Sequence, residues 1–209
     1  EFYTDKLIGY LDEHQKSGDG RPFFAYAAYT SPHWPLQAPD RYLAKYRGRY
    51  DDGHASVRAR RIAKMKSLGV VPQDLEPFPG LPASDGFPLW EQLSSEARQR
   101  EARRMEIYAA MIDCLDANIG RLMEHLRATG QYDNTCIVFM SDNGPSGISE
   151  EQGVLARAAA GRDNSLENMG RKGSFVASGP RWAEVSAAPF RATKGTTAEG
   201  GMTAAAMVR

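Results

Sequence analysis

At 209 residues the chain is long enough to bury a sizeable core, and 42% hydrophobic with 10% aromatic residues is the balance of a globular domain. Its 26 Lys and Arg match 26 Asp and Glu, which excludes a whole-chain field directed at nucleic acid or a membrane surface. No apolar stretch reaches membrane-spanning length, and the two cysteines lack the spacing of a Cys/His metal site.

The first predicted helix covers residues 4–16, with Thr4 as its cap, Leu7, Tyr10 and Leu11 on one face, and Gly18 as its stop. Residues 23–29 read as a strand, followed at once by Thr30-Ser31-Pro32-His33-Trp34-Pro35. Short helices are predicted over 40–46 and 52–68; the charges of the second, Arg58 to Lys66, read as a solvated face. Five prolines between Gly69 and Trp90 keep that stretch irregular. The longest helix is predicted over 91–128. Ile107, Met111, Leu115, Ile119, Leu122 and Leu126 form its core-facing stripe, and its polar first half, 94–104, is expected to project into solvent. After Gly130 the run Cys136-Ile137-Val138-Phe139-Met140 reads as a buried strand, with Cys114 and Cys136 as core residues. A long loop then reaches Lys172. Helices alternating with apolar strands predict an α/β fold with a mostly parallel sheet sandwiched between helices. The start at Glu1 without Met, and an end at Arg209 inside an apolar run, lead us to expect a piece of a longer protein with both ends cut.

Chemistry gathers where strands end. In open α/β sheets ligands sit beyond the carboxyl ends of strands, and Asp142 and Asn143 fall there. A carboxylate and an amide carbonyl suit a hard cation such as Ca²⁺ or Mg²⁺, while Asp142-Asn143-Gly144 also fits a plain turn. His33 follows the 23–29 strand in a loop stiffened by Pro32 and Pro35, which suits a general acid or an oxyanion ligand as well as a packed loop histidine. Lys194, among Gly and Thr, can present an ammonium to an anion or stand as a surface lysine. His14, His54 and His125 read as structural, and Asp113 and Asp116 as side chains beside core positions. No nucleophile elbow, Walker loop or dinucleotide fingerprint is present.

In this order the segments resemble the sulfatase family of the alkaline-phosphatase-like superfamily, in particular bacterial arylsulfatases. The likeness is carried by Phe23-Phe24-Ala25-Tyr26, Ser31-Pro32-His33-Trp34-Pro35-Leu36-Gln37-Ala38-Pro39, Tyr46-Arg47-Gly48-Arg49-Tyr50-Asp51 and Leu68-Gly69-Val70-Val71-Pro72. It continues through Tyr108-Ala109-Ala110-Met111-Ile112-Asp113, Val138-Phe139-Met140-Ser141-Asp142-Asn143-Gly144, Lys194-Gly195 and Glu199-Gly200-Gly201, so that it runs nearly end to end. It implies that residues 1–209 are the central portion of a catalytic domain for small-molecule sulfate esters. It further implies that Asp142 and Asn143 are ligands of a divalent cation, usually Ca²⁺, and that His33 and Lys194 grip the sulfate, His33 also assisting the leaving group.

Departures from the family pattern matter too. The family's formylglycine arises from a Cys/Ser-x-Pro-x-Arg motif that this chain lacks; Ala187-Ala188-Pro189-Phe190-Arg191 copies only its end. The nucleophile and the remaining metal ligands are expected upstream of Glu1, and the chain alone is expected to be inactive. The alternatives are a phosphonate or phosphate ester hydrolase of the same superfamily and a non-catalytic binding relative.

Overall fold

The computed structural model describes residues 1–18, 20–84, 87–151 and 153–209. Its spine is the long helix, with α1 (Phe2–Ser17), α2 (Asp40–Tyr46) and α3 (Gly53–Ser67) preceding it and α4 (Ser95–Ala128) forming it. The Ser94 hydroxyl accepts the Ala97 N–H at 3.1 Å, satisfying one of the donors a helix start leaves unpaired. Leu36, Tyr42, Leu43, Ile107, Ala110, Met111, Met169 and Val176 form the core where α2 and the 170–176 segment meet the middle of α4. Ile107 is fully buried, so truncating it to alanine should cost about 2–5 kcal/mol.

The helix boundaries follow the sequence reading closely. α2 spans Asp40–Tyr46 as predicted, and α1 ends at Gly18 with φ 63°, a left-handed cap that glycine adopts without steric cost. Thr4 does not cap α1. Its side chain is buried and bonds the Tyr29 hydroxyl at 2.9 Å, and the cap position is Glu1. Among the described residues, the Pro-rich stretch 69–90 is irregular apart from a bridge between Ser84 and Phe87 and a 3₁₀ turn at Trp90–Gln92. Asp113 pairs with Lys45 at 2.9 Å, a surface role. The loop after Gly144 contains a short helix that periodicity did not reveal, α5 (Gly153–Ala159). Beyond it come α6 (Pro180–Ala187) and α7 (Glu199–Met202).

The sheet departs from expectation. Among the described residues it is one antiparallel pair, β1 (Val138–Met140) with β2 (Ala206–Val208), in the register Val138 to Val208. The expected mostly parallel sheet is not present among the described residues. Residues 23–29 run extended without a ladder partner, and Phe24 and Tyr26 are 94% and 85% exposed. An apolar extended segment becomes a strand only when a neighbour accepts its backbone hydrogen bonds, and among the described residues 23–29 has no such neighbour. Although β1 is paired with β2, Val138 and Met140 are exposed, and Cys136 lies at the surface rather than opening a buried strand.

The first half of α4 is the opposite correction. Its first turn, Ser94 to Glu96, and Gln99 are exposed as expected, but Arg103 and Arg104 are buried, as is Glu106 just beyond them. Arg103 donates to Glu106 at 2.9 Å and to the Met169 carbonyl at 3.2 Å, while Glu106 accepts the Gly48 N–H at 2.7 Å. Arg104 donates to Glu101, to Glu150 at 2.5 Å and to Glu151 at 2.7 Å. Glu101 also meets His54 at 3.3 Å, and its carbonyl accepts the indole N–H of fully buried Trp182 at 2.8 Å. Burial alone would push the Glu101 carboxyl up, but the His54 hydrogen bond and the Arg104 charge outweigh it and hold it below the usual carboxylate range. Among the described residues no helix is long and apolar enough to cross a membrane.

Candidate functional site

Asp142 and Asn143 follow β1 in a bend held by its own hydrogen bonds. Ser141 N–H donates to Ala205 O at 3.1 Å, the Ser141 hydroxyl to Asn143 O at 3.0 Å, and the Asn143 amide to Gly144 O at 2.8 Å. The Asp142 side chain is exposed and makes no hydrogen bond or ion pair among the described residues. With its NH₂ engaged, Asn143 leaves its carbonyl oxygen as the free acceptor.

The next residues lock this bend to the Lys194 segment. Gly144 N–H donates to Gly201 O at 3.1 Å, Gly200 N–H to Arg191 O at 2.9 Å, and Lys194 N–H to Pro145 O at 2.9 Å. The contacts are too close for side chains: a Cβ on Gly144 would overlap the Gly200 carbonyl oxygen, and one on Gly200 would overlap Ala192 O. Glycine at these positions lets the two backbones touch. Lys194 itself is exposed, and its ammonium has no partner among the described residues.

His33 sits on a separate loop. Its N–H donates to Thr30 O at 2.9 Å, its ring packs on Trp34 at 4.5 Å between centroids, and Nδ1 lies 2.7 Å from Trp34 O. A carbonyl can only accept, so Nδ1 carries a proton and Nε2 is the atom left for chemistry. This loop lies along residues 170–176: Leu36 N–H donates to Val176 O at 2.8 Å, Gln37 to Ser174 O at 2.9 Å, and Trp34 meets Phe175 at 6.0 Å. The same segment then reaches the loop that follows Asp142, through Ala177 N–H to Glu150 at 3.0 Å and the Ser178 hydroxyl to Ser146 O at 3.3 Å. Asp142, Asn143 and Lys194 are therefore on directly joined segments. His33 is tied to them through 170–178, with no hydrogen bond or ion pair between it and the other three among the described residues.

For a hard cation, the Asp142 carboxylate and the Asn143 carbonyl fit as two oxygen ligands. No group of three or more His, Cys, Asp or Glu able to hold a metal occurs among the described residues, so these two supply only part of a shell. A groove of about 500 Å³ beside Leu7, Tyr10, His14, Phe23 and Tyr26 contains none of the four site residues. Sequence reasoning missed Glu101, Arg104 and Glu150. The signal available was the Glu/Arg spacing of three along 101–106, which reads equally well as a solvated helix face.

Comparison with known proteins gives the family. The family model described as Sulfatase matches residues 1–208. An uncharacterized sulfatase of Schizosaccharomyces pombe is 43% identical over 213 residues, covering 100% of this chain and 37% of the relative. The arylsulfatase of Klebsiella aerogenes is 43% identical over 207 residues, covering 97% of this chain and 42% of that enzyme. Among solved structures, Ps i-CgsB in complex with k-i-k-neocarrahexaose aligns with 99% of this chain and 27% of its own, at TM-score 0.47 and 24% identity. The chain thus spans well under half the length of the curated relatives it matches. On the family match and the identity to these relatives, the chain belongs to the sulfatase family of the alkaline-phosphatase-like superfamily.

Proposed function

We propose that residues 1–209 are the central portion of a sulfatase catalytic domain, and that the whole protein hydrolyses sulfate esters with a divalent cation, Ca²⁺ or Mg²⁺, held in part by Asp142 and Asn143. The observation that carries this reading is the Lys194 N–H to Pro145 O bond. It sets the segment of an unpaired ammonium against the segment of an unpaired carboxylate, in a chain of this family.

Breaking a sulfate ester moves negative charge onto the leaving oxygen, and groups already in place to meet that charge lower the barrier. The Lys194 ammonium is suited to neutralise sulfate oxygens, and His33 Nε2 to hold the proton that the departing alcohol or phenol takes. When bound, the cation draws charge from the sulfate oxygens as a Lewis acid. Asp142 and Asn143 supply two or three of the about 6–8 oxygens that Ca²⁺ takes. We therefore assign the other ligands and the formylglycine nucleophile to parts of the whole protein outside these residues. On that assignment the 209-residue chain alone binds Ca²⁺ weakly and turns nothing over.

The test is hydrolysis of an aryl sulfate by the whole protein, with Ca²⁺ and with chelator. Chelator should abolish turnover, His33→Ala should lower kcat by about 10²–10⁴-fold, and Lys194→Ala by about 10²–10³-fold. Inactivity of the matured protein that Ca²⁺ does not relieve would sink the proposal in favour of a binding relative. A preference for phosphate or phosphonate esters would move it to that chemistry.

A further inference from the structure

The buried carboxylate of Glu150 takes no part in the chemistry proposed above. Glu150 is 4% exposed, and its two oxygens face different parts of the molecule. Oε1 accepts from Arg104 on α4 at 2.5 Å, and Oε2 accepts the Ala177 N–H at 3.0 Å. Each partner leads somewhere relevant. Ala177 follows Val176, whose carbonyl holds Leu36 of the His33 loop, and Phe175, which packs on Trp34. Glu150 itself lies on the loop that begins at Asp142, to which the Lys194 segment is bonded at Pro145. Arg104, the cation that neutralises Glu150, is held on the long helix and is itself nearly buried, at 5% exposure. One side chain thus joins the His33 loop, the Asp142–Lys194 pair of loops and the spine of the fold.

We infer that Glu150, gripped by Arg104, is the positioning residue that sets His33 relative to Asp142, Asn143 and Lys194. It touches no substrate in this assignment and acts through the segments it fastens. The geometry makes it sensitive: catalytic groups must be held to fractions of an ångström, and partners behind metal ligands typically change affinity or activity by about 10–100-fold when removed. Burial would lower the Arg104 guanidinium's hold on its proton, but Glu101, Glu150 and Glu151 around it outweigh that, so the anchor stays charged at any working pH. The inference rests on the roles given above to His33, Asp142, Asn143 and Lys194.

The test uses the whole protein with Glu150→Ala, Glu150→Gln and Arg104→Lys. Glu106→Gln serves as control, because it breaks a buried ion pair on the same helix whose partners are Arg103 and Gly48. Two readouts separate positioning from stability: kcat and KM on an aryl sulfate, and hydrogen exchange at the Leu36, Ala177 and Lys194 amides. Glu150→Ala should lower kcat by about 10–100-fold with KM within about threefold. It should also speed exchange at all three amides, with Glu150→Gln and Arg104→Lys intermediate. Glu106→Gln should lower the melting temperature while leaving kcat and those amides as in the wild type. Unchanged exchange at Leu36 and Lys194 in Glu150→Ala overturns the inference, whatever happens to the melting temperature. If the wild type hydrolyses no aryl sulfate, the functional reading fails, and the exchange result still decides whether Glu150 fastens the two loops.

Discussion

Two regions invert the usual relation between polarity and burial. The stretch from Glu101 to Glu106 is among the most charged in the chain, yet Arg103, Arg104 and Glu106 are buried; the stretch from Phe23 to Tyr26 is apolar and aromatic, yet Phe24 and Tyr26 lie open. The difference is one of partners. Each buried charge on α4 has an opposite charge or a backbone group within hydrogen-bond reach. The 23–29 backbone has no strand beside it among the described residues, and while Phe23 and Tyr29 pack on α1, Phe24 and Tyr26 have no sheet neighbour to close against. Burial follows the availability of a complementary neighbour, and hydropathy within one segment reports only half of that.

The largest effect should come from removing the hub of the charged region. Arg104→Met deletes the cation shared by Glu101, Glu150 and Glu151, leaving Glu150 buried with only the Ala177 N–H. Breaking a buried pair from one side costs about 3–5 kcal/mol, because the orphaned charge stays out of water. Denaturant unfolding measures it. A loss below about 1 kcal/mol would place this network with exposed surface pairs and dissolve the contrast.

A smaller effect should appear as acid sensitivity. The folded-state carboxyl of Glu101 sits below its unfolded value of about 4.3, so the unfolded chain takes up the proton first. Its stabilisation is therefore complete above about pH 5 and is lost as the pH falls through about 4 toward the depressed folded value. Melting temperatures from pH 7 to pH 3 should drop across that window. Glu101→Gln should start lower at pH 7 and fall less steeply. Parallel curves for the two proteins would show that Glu101 does not carry the slope.

The helices α1 to α4 were legible because their ends and faces are marked locally: Gly18 ends α1, and Ile107, Met111 and Leu126 of the 107–126 stripe lie on the buried face of α4. The short helices α5 to α7 were not. The segments of the candidate site were legible as strand-end and loop residues, His33, Asp142, Asn143 and Lys194 each standing beside turn-forming neighbours. The fastening between them was not. Glu150 and Arg104 are 46 residues apart, and no local period links a carboxylate in an irregular loop to an arginine in a helix. The sheet was not legible among the described residues for a related reason: pairing is non-local, and residues 23–29 and 136–140 state a preference for strand without naming a neighbour.

The smallest effect tests the apolar side of the contrast. In the 209-residue chain Phe24→Ser removes a ring that is 94% exposed. A buried phenylalanine cut back to alanine costs about 3–5 kcal/mol, whereas exposed substitutions fall within about 0.5 kcal/mol of neutral. The expected change is therefore within about 0.5 kcal/mol by denaturant unfolding, together with higher solubility, since open aromatic surface promotes association. A loss above about 2 kcal/mol would mean that the ring is already covered in this chain. Residues 23–29 would then have found their neighbour, and the inversion between the two regions would belong to α4 alone.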